Sequence, residues 1–533
     1  MWGVLLGPKE LRVMGNRAIV WFRNNLRLDD NEALAEALRD AEEVVPVYVF
    51  DERTFKGTTH AFGFPKTGVH RARFLTEAVR DLRERLRALG SDLVVRAGIA
   101  EDVLLHIARE HRCNWVYCNR ERTSEEVAVQ DRLEAKLWGI GQELRYSRGK
   151  LLYHTADLPF PVSQTPDTFS QFRKEVERGV PVREPIDAPA SLPVLPKGLP
   201  PGDLPSLTDL GYADPGRDPR AAIAHVGGET AALARLRHYL WDTDAARTYK
   251  DTRNGLLGSD YSTKLSAWLA AGCISPKRVV HEVRRYEAER GATDGTYWIF
   301  FELLWRDYFR LVAKKYKTAI FRRHGPKALM VGNVKILRGE AANNHRPTFE
   351  RWARGETGVP FVDANMRELN ATGFMSNRGR QNVASFLVSD LKLNWQLGAE
   401  YMESLLVDYD VASNWCNWNY IAKVGNDPRE DRYFNILSQA SRYDPDGAFV
   451  KHWCPELEAL PKDRIHRPDL LTDAQQREYG VRVGVDYPSA MVDIGKWAAG
   501  KRKAARGKRG GVNVPHGGRG KRRGDRRPGT PVY

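Results

Sequence analysis

The sequence predicts a chain of two folded parts: an N-terminal α/β domain on a doubly wound parallel sheet, then a large all-α domain. Three observations carry this. Short β-rich runs alternate with helical patterns up to about residue 150, ten prolines fall between residues 181 and 220, and helical patterns rich in Trp, Tyr and Asn dominate beyond residue 228. Strands alternating with helices imply right-handed crossovers and a parallel sheet. The proline density prevents regular structure and marks an inter-domain connection that wraps over the parts it joins. The boundaries read as an N-terminal extension (1–16), the α/β domain (17–150), a linker (151–227), the helical domain (228–495) and a basic tail (496–533).

Within the first domain, 19–22 reads as a strand, 31–39 as a helix and 44–50 as a buried apolar strand, with a long helix from about 71 to 89. Residues 93–95 and 115–117 read as strands flanking a helix near 103–109, then a helix at 125–138 and a strand at 143–147 close the series. The turn after the first strand is Arg23-Asn24-Asn25-Leu26-Arg27 and holds no GxGxxG. That argues against an ordinary dinucleotide dehydrogenase.

Composition limits the partners. No run approaches about 18 apolar residues, so no membrane-spanning helix is expected, and residues 2–6 are too short for a signal-peptide core. The five cysteines (Cys113, Cys118, Cys273, Cys416, Cys454) are scattered with no metal-ligand spacing. A reduced, intracellular protein without a metal site is the simple reading: cytoplasmic, or nuclear or organellar in a eukaryote. Of the net charge of +15, +11 lies between Gly500 and Tyr533 in twelve Lys/Arg against Asp525, leaving +4 on the rest. That tail has too little apolar surface to offset its ordering entropy and reads as disordered. It is either a solvated tail or an arm for phosphates, RNA included.

Three segments carry polar groups among aromatics. Ser262-Thr263-Lys264-Leu265-Ser266 reads as the start of a helix running through Trp268, suited to N-capping or to a phosphate. Glu302 and Arg306 stand four apart in an aromatic helix, as an intrahelical ion pair or around a polar ligand. The stretch from Asp363 to Arg432 gathers Asn377, Arg380, Asp408, Asp410, Asn414 and Trp418, groups that suit a polar aromatic cofactor.

Several motifs are recognisable as they stand. Residues 20–31 (VWFRNNLRLDDN), 261–266 (YSTKLS), 302–308 (ELLWRDY), 358–369 (GVPFVDANMREL) and 373–381 (GFMSNRGRQ) resemble the photolyase/cryptochrome superfamily, and 376–382 and 425–430 its DASH branch. The similarity covers roughly 17–470. It implies FAD held by Tyr249, Ser262, Thr263, Leu265, Ser266, Arg306, Arg380, Asp408 and Asp410, with Asn414 facing flavin N5. It implies a lesion pocket of Glu302, Trp305, Asn377, Gln381 and Tyr420, with Trp305 offering a flat face to a flipped pyrimidine dimer, since photolyases extrude their target from the base stack. It implies a methenyltetrahydrofolate antenna with Glu126 as a carboxylate partner, against which stands an exposed carboxylate at a helix start. It implies an electron chain of Trp418 and Trp395 whose surface member is replaced by Ala342, so that either another aromatic such as Trp352 takes the electron or photoreduction is slow; each Trp alone is more often core packing than a wire.

The expected activity is light-driven reversal of cyclobutane dimers, chiefly in single-stranded DNA, by a monomer. A blue-light regulator that binds nucleic acid without turnover is the rival. Repair of (6–4) photoproducts is disfavoured, because 377–381 holds no His.

Overall fold

The computed structural model describes residues 16–497 apart from 332–343 and 427–432. The extension, Ala342, most of 425–430 and nearly all of the basic tail therefore lie outside the described residues.

Five strands form one sheet in the order β3-β2-β1-β4-β5: β1 (Arg17–Phe22), β2 (Glu43–Asp51), β3 (Val94–Gly98), β4 (Trp115–Asn119) and β5 (Glu143–Ser147). Every pairing is parallel. Successive side chains of β1 alternate faces, as the pleat requires. Ile19 and Trp21 enter a small core under the helices Ala100–Glu110 and Ser124–Trp138, whereas Ala18, Val20 and Phe22 enter a core continuous with the helical domain. The strand order reverses between β1 and β4, so the loops after them border the crevice where doubly wound sheets bind ligands.

Residues 181–220 hold no helix or strand. The segment runs along the α/β domain and covers its β3 edge, Val95 N–H donating to the Pro201 carbonyl at 2.7 Å. Covering an edge removes a site for wrong strand pairing. The linker also contains the helix Phe169–Gly179, capped by Thr168, which its sequence did not announce.

The helical domain is built around Asp294–Tyr316, started by a Thr293/Thr296 capping box and buried on nearly every side between Gly295 and Ala313. A helix apolar all round belongs in a core, and its few charges must therefore be satisfied. Asp307 accepts the backbone N–H groups of Leu152 and Tyr153 at 3.1 and 3.0 Å, and Arg306 donates to the Lys150 carbonyl at 2.9 Å. These bonds clamp the end of the α/β domain to the central helix. Among the described residues no helix is long and apolar enough to cross a membrane, all five cysteines are unpaired thiols, and no cluster suits a metal ion.

Candidate cofactor and substrate cavity

Four walls enclose a cavity of about 1430 Å³, its open mouth included. Tyr249, Ser262, Thr263, Leu265 and Ser266 stand on one wall, Glu302 and Arg306 on the central helix, Asn377, Arg380 and Gln381 on Asn377–Ser385, and Asp408, Asp410, Asn414 and Trp418 on and before Val411–Ile421. All ten residues expected to hold the cofactor thus line one space.

On two of the walls, charges are paired. Arg380 Nη2 donates to both oxygens of Asp408 at 3.0 and 2.8 Å, and its Nε to the Met375 carbonyl. Asp410 caps its helix by accepting Ser413 N–H at 2.9 Å and pairs with Arg310. Burial works against its charge, but Arg310, Arg306 and Lys150 hold the carboxyl down at about 2. Asn414 Nδ2 donates to the Ala399 carbonyl at 3.0 Å, which fixes the amide in the cavity wall.

The 262–266 segment differs from expectation. The helix begins only at Ser266 and lasts six residues, with no side-chain cap. Lys264 sits in the left-handed region (φ 53°), and its buried ammonium lies 3.1 Å from the Tyr261 ring centroid without a hydrogen-bond partner. Burial drives its pKa well down, against the pull of Glu368. Glu368, itself buried, is pushed up to about 8 by desolvation, with Lys264 and Arg380 opposing.

On the central helix, Glu302 is 5% exposed and pairs with Arg253, not with Arg306. The helical i,i+4 reading is therefore corrected: Arg306 donates to the carbonyls of Lys150 and Leu269. Desolvation raises Glu302 to about 7, with Arg253 opposing. Arg253 in turn lies 4.7 Å from the Trp298 ring centroid. On the helix Asn377–Ser385, Asn377 Oδ1 is buried without a partner, and Gln381 accepts from Arg378 at 2.8 Å.

The aromatic expectations need correction. Trp305 is 1% exposed and stacks on Phe169, with centroids 3.7 Å apart and planes 12° apart, so that face is not free for a flipped base. Tyr420 is also buried, edge-on to Trp305 at 5.9 Å, and neither residue lines the cavity. Trp418 does line it and packs against Gly398, where a Cβ would come within 2.2 Å of its ring. Trp395 packs edge-on against Trp415 at 5.7 Å and donates to the Arg323 carbonyl. Trp352 is fully buried against Phe349 and Tyr401, its indole N–H held by the Val383 carbonyl. It therefore does not supply a surface terminus.

Glu126 lies at the sheet crevice. It accepts from Thr123 Oγ1 at 2.5 Å and from Asn24 Nδ2 at 3.4 Å, and burial followed by the nearby Glu121 raises its pKa. Glu121 and Lys150 form a buried ion pair at 2.5 Å in the same crevice. Sequence reasoning missed Arg253, Arg310, Glu121 and Lys150. Only Arg310 left a signal: with Glu302 and Arg306 it makes a stripe of charges every four residues along an apolar helix.

Buried Lys264 Nζ, Tyr261 OH and Asn377 Oδ1 line the cavity without protein partners. Buried polar groups are normally satisfied, so the cavity fits an occupant that is anionic and rich in donors and acceptors, as FAD is.

The comparisons agree with this geometry. Residues 18–190 match the family described as DNA photolyase, and 298–506 the FAD binding domain of DNA photolyase. A cryptochrome DASH of Gloeobacter violaceus is 50% identical over 481 residues, covering 90% of this chain and 94% of its own. The crystal structure of a Synechocystis cryptochrome superposes with a TM-score of 0.85 at 45% identity, covering 92% of this chain and 99% of that one. A bacterial class III photolyase from Agrobacterium tumefaciens gives 0.78 at 29% identity, covering 94% and 100%. The strand order, the cavity and these likenesses together place the chain in the DASH cryptochromes of the photolyase/cryptochrome superfamily.

Proposed function

We propose that this protein uses light to reverse cyclobutane pyrimidine dimers, chiefly in single-stranded DNA, with FAD in the helical cavity and methenyltetrahydrofolate in the sheet crevice as antenna. The observation that carries this reading is Glu302: a carboxyl poised near neutral pH in the cavity wall, which also holds an unsatisfied Asn377 Oδ1.

Lys264 and the backbone of 262–266 would hold the cofactor diphosphate. Arg380 with Asp408, and Arg306 with Asp410, would hold its flavin and polyol portions. Asn414, its amide fixed by the Ala399 carbonyl, would face flavin N5 with a group able to accept or donate a hydrogen bond. When bound and reduced, FAD supplies the light-driven electron that splits the cyclobutane ring and receives it back.

The lesion would be held by Glu302, Asn377 and Gln381. Neutral Glu302 donates a hydrogen bond to a base carbonyl, an interaction that strengthens as charge grows on that oxygen. Trp305, on the central helix, and Tyr420 pack against each other outside the cavity lining. A rim of amides returns less of the unstacking cost than an apolar sandwich would, which favours unpaired lesions. In the crevice, Glu126 and Asn24 offer an acceptor and an amide at the sheet's switch point, suited to a pterin-like ring. Arg306 and Arg310 tie that crevice to the flavin cavity through Lys150 and Asp410.

The test is illumination of reduced, FAD-loaded protein with a dimer-bearing single-stranded oligonucleotide. Restored thymine absorbance is expected, and an intact dimer overturns the reading. Glu302→Ala should lower the repair rate by at least about tenfold while leaving FAD bound; loss of FAD would assign Glu302 to the cofactor instead.

A further inference from the structure

One side chain outside the cavity organises part of its wall. Arg235, on the helix Glu229–Arg237, is 9% exposed and does not line the cavity. Its guanidinium gathers the backbone of a segment that does. Nε donates to the Thr263 carbonyl at 2.9 Å, and Nη2 to the carbonyls of Ser259 and Ser262 at 2.9 and 3.0 Å. Nη1 donates to Asp260 Oδ1 at 2.7 Å, and the other Asp260 oxygen accepts from Ser259 Oγ at 2.9 Å. One rigid fork therefore fixes residues 259–263.

The donors of the same segment are left open. Residues 261–266 all line the cavity, yet among the described residues no backbone N–H from Ser262 to Ser266 donates to a backbone carbonyl. Backbone N–H groups are obligatory donors. In a planar trans peptide the carbonyl and the N–H point opposite ways. Drawing the Ser262 and Thr263 carbonyls to Arg235 thus sends the N–H groups of Thr263 and Lys264 away from it. Left-handed Lys264 (φ 53°) is followed by right-handed Leu265 (φ −77°, ψ −3°), a turn of the kind that gathers consecutive N–H groups into an anion-binding concavity. A left-handed residue other than glycine is strained and persists only where its surroundings hold it. Arg235 holds the peptide before it, and the buried, unpartnered Lys264 ammonium adds a cation to the same wall.

We propose that Arg235 is a positioning residue for the cofactor: by drawing the carbonyls of 259–263 to itself, it leaves the N–H groups of Thr263 and Lys264 for the diphosphate. This rests on the reading that the cavity holds FAD. Arg235 acts through the backbone and touches no ligand itself.

The experiment measures binding of FAD, and of riboflavin, which lacks the diphosphate, to the flavin-free full chain, to Arg235→Met and to Arg235→Lys, by quenching of flavin fluorescence. Arg235→Met should weaken FAD at least about tenfold, as expected for loss of charge-assisted hydrogen bonds, and riboflavin less than about twofold. Arg235→Lys keeps the charge without the fork, so its FAD affinity should fall between those of the parent and Arg235→Met. Should Arg235→Met fail to fold, Arg235→Lys decides by the same comparison of the two flavins. Equal weakening of FAD and riboflavin would mean a collapsed wall and overturns the positioning role, as does FAD affinity equal to the parent's in either variant. A parent protein that binds no FAD overturns the cofactor reading itself, and the proposal with it.

Discussion

Two parts of the cavity wall are built on opposite rules. Arg380 meets Asp408 and Arg310 meets Asp410, every pair oriented by further bonds to backbone. Arg253 faces a carboxyl on the central helix that desolvation has raised to about 7, and elsewhere on the wall Asn377 Oδ1 is buried without a partner. Paired charges make a preorganised seat; half-satisfied ones leave affinity for whatever arrives. On the proposed reading, the first would seat a resident cofactor and the second a substrate.

The paired part breaks most severely. Asp408→Ala strands Arg380 in the wall, and losing one partner of a buried pair costs about 3–5 kcal/mol. A lower denaturation midpoint together with loss of bound flavin is expected. Stability unchanged from the parent protein would show that this pair does not hold the wall.

On the central-helix wall, Arg253→Met takes away the cation that draws Glu302 down. Repair by neutral Glu302 is present at low pH and declines as pH rises through about 7. In the variant that decline should move to higher pH by about one unit, worth about 1.4 kcal/mol. A rate–pH profile reads it directly, and a shift to lower pH would contradict the assignment.

A smaller effect concerns Glu368, raised from 4.5 to about 8 by burial. Its folded pKa lies above the unfolded one, so its contribution to stability is complete below about pH 4.5 and lost as pH rises through 8. Unfolding of the flavin-free protein from pH 5 to 8 should therefore show a downward slope that Glu368→Gln reduces. Least of all, Trp352→Phe should leave the rate of flavin photoreduction within about twofold, since Trp352 is enclosed; a larger drop would return it to the electron route.

Much of this was legible in the sequence. Apolar runs between helical patterns announced the sheet, because each strand of a doubly wound sheet is covered on both sides. The cavity walls were legible because amides and carboxylates crowded among aromatics have no packing reason to be there. What escaped depended on distant partners. Glu302 has a suitable cation four residues away, yet pairs with one 49 residues earlier. Trp305 looked like a free platform, but Phe169 from the linker covers it. The phosphate segment was misread because Ser262 and Thr263 mimic a helix cap, while the left-handed Lys264 delays the helix to Ser266.

Whether the four walls seat one flavin is read most plainly from the absorption spectrum of the purified protein before and after denaturation. Flavin bands with about one FAD released per chain are expected, as is their loss in Asp408→Ala. A folded parent protein that carries no flavin and takes up none when FAD is added would contradict the assignment of the cavity.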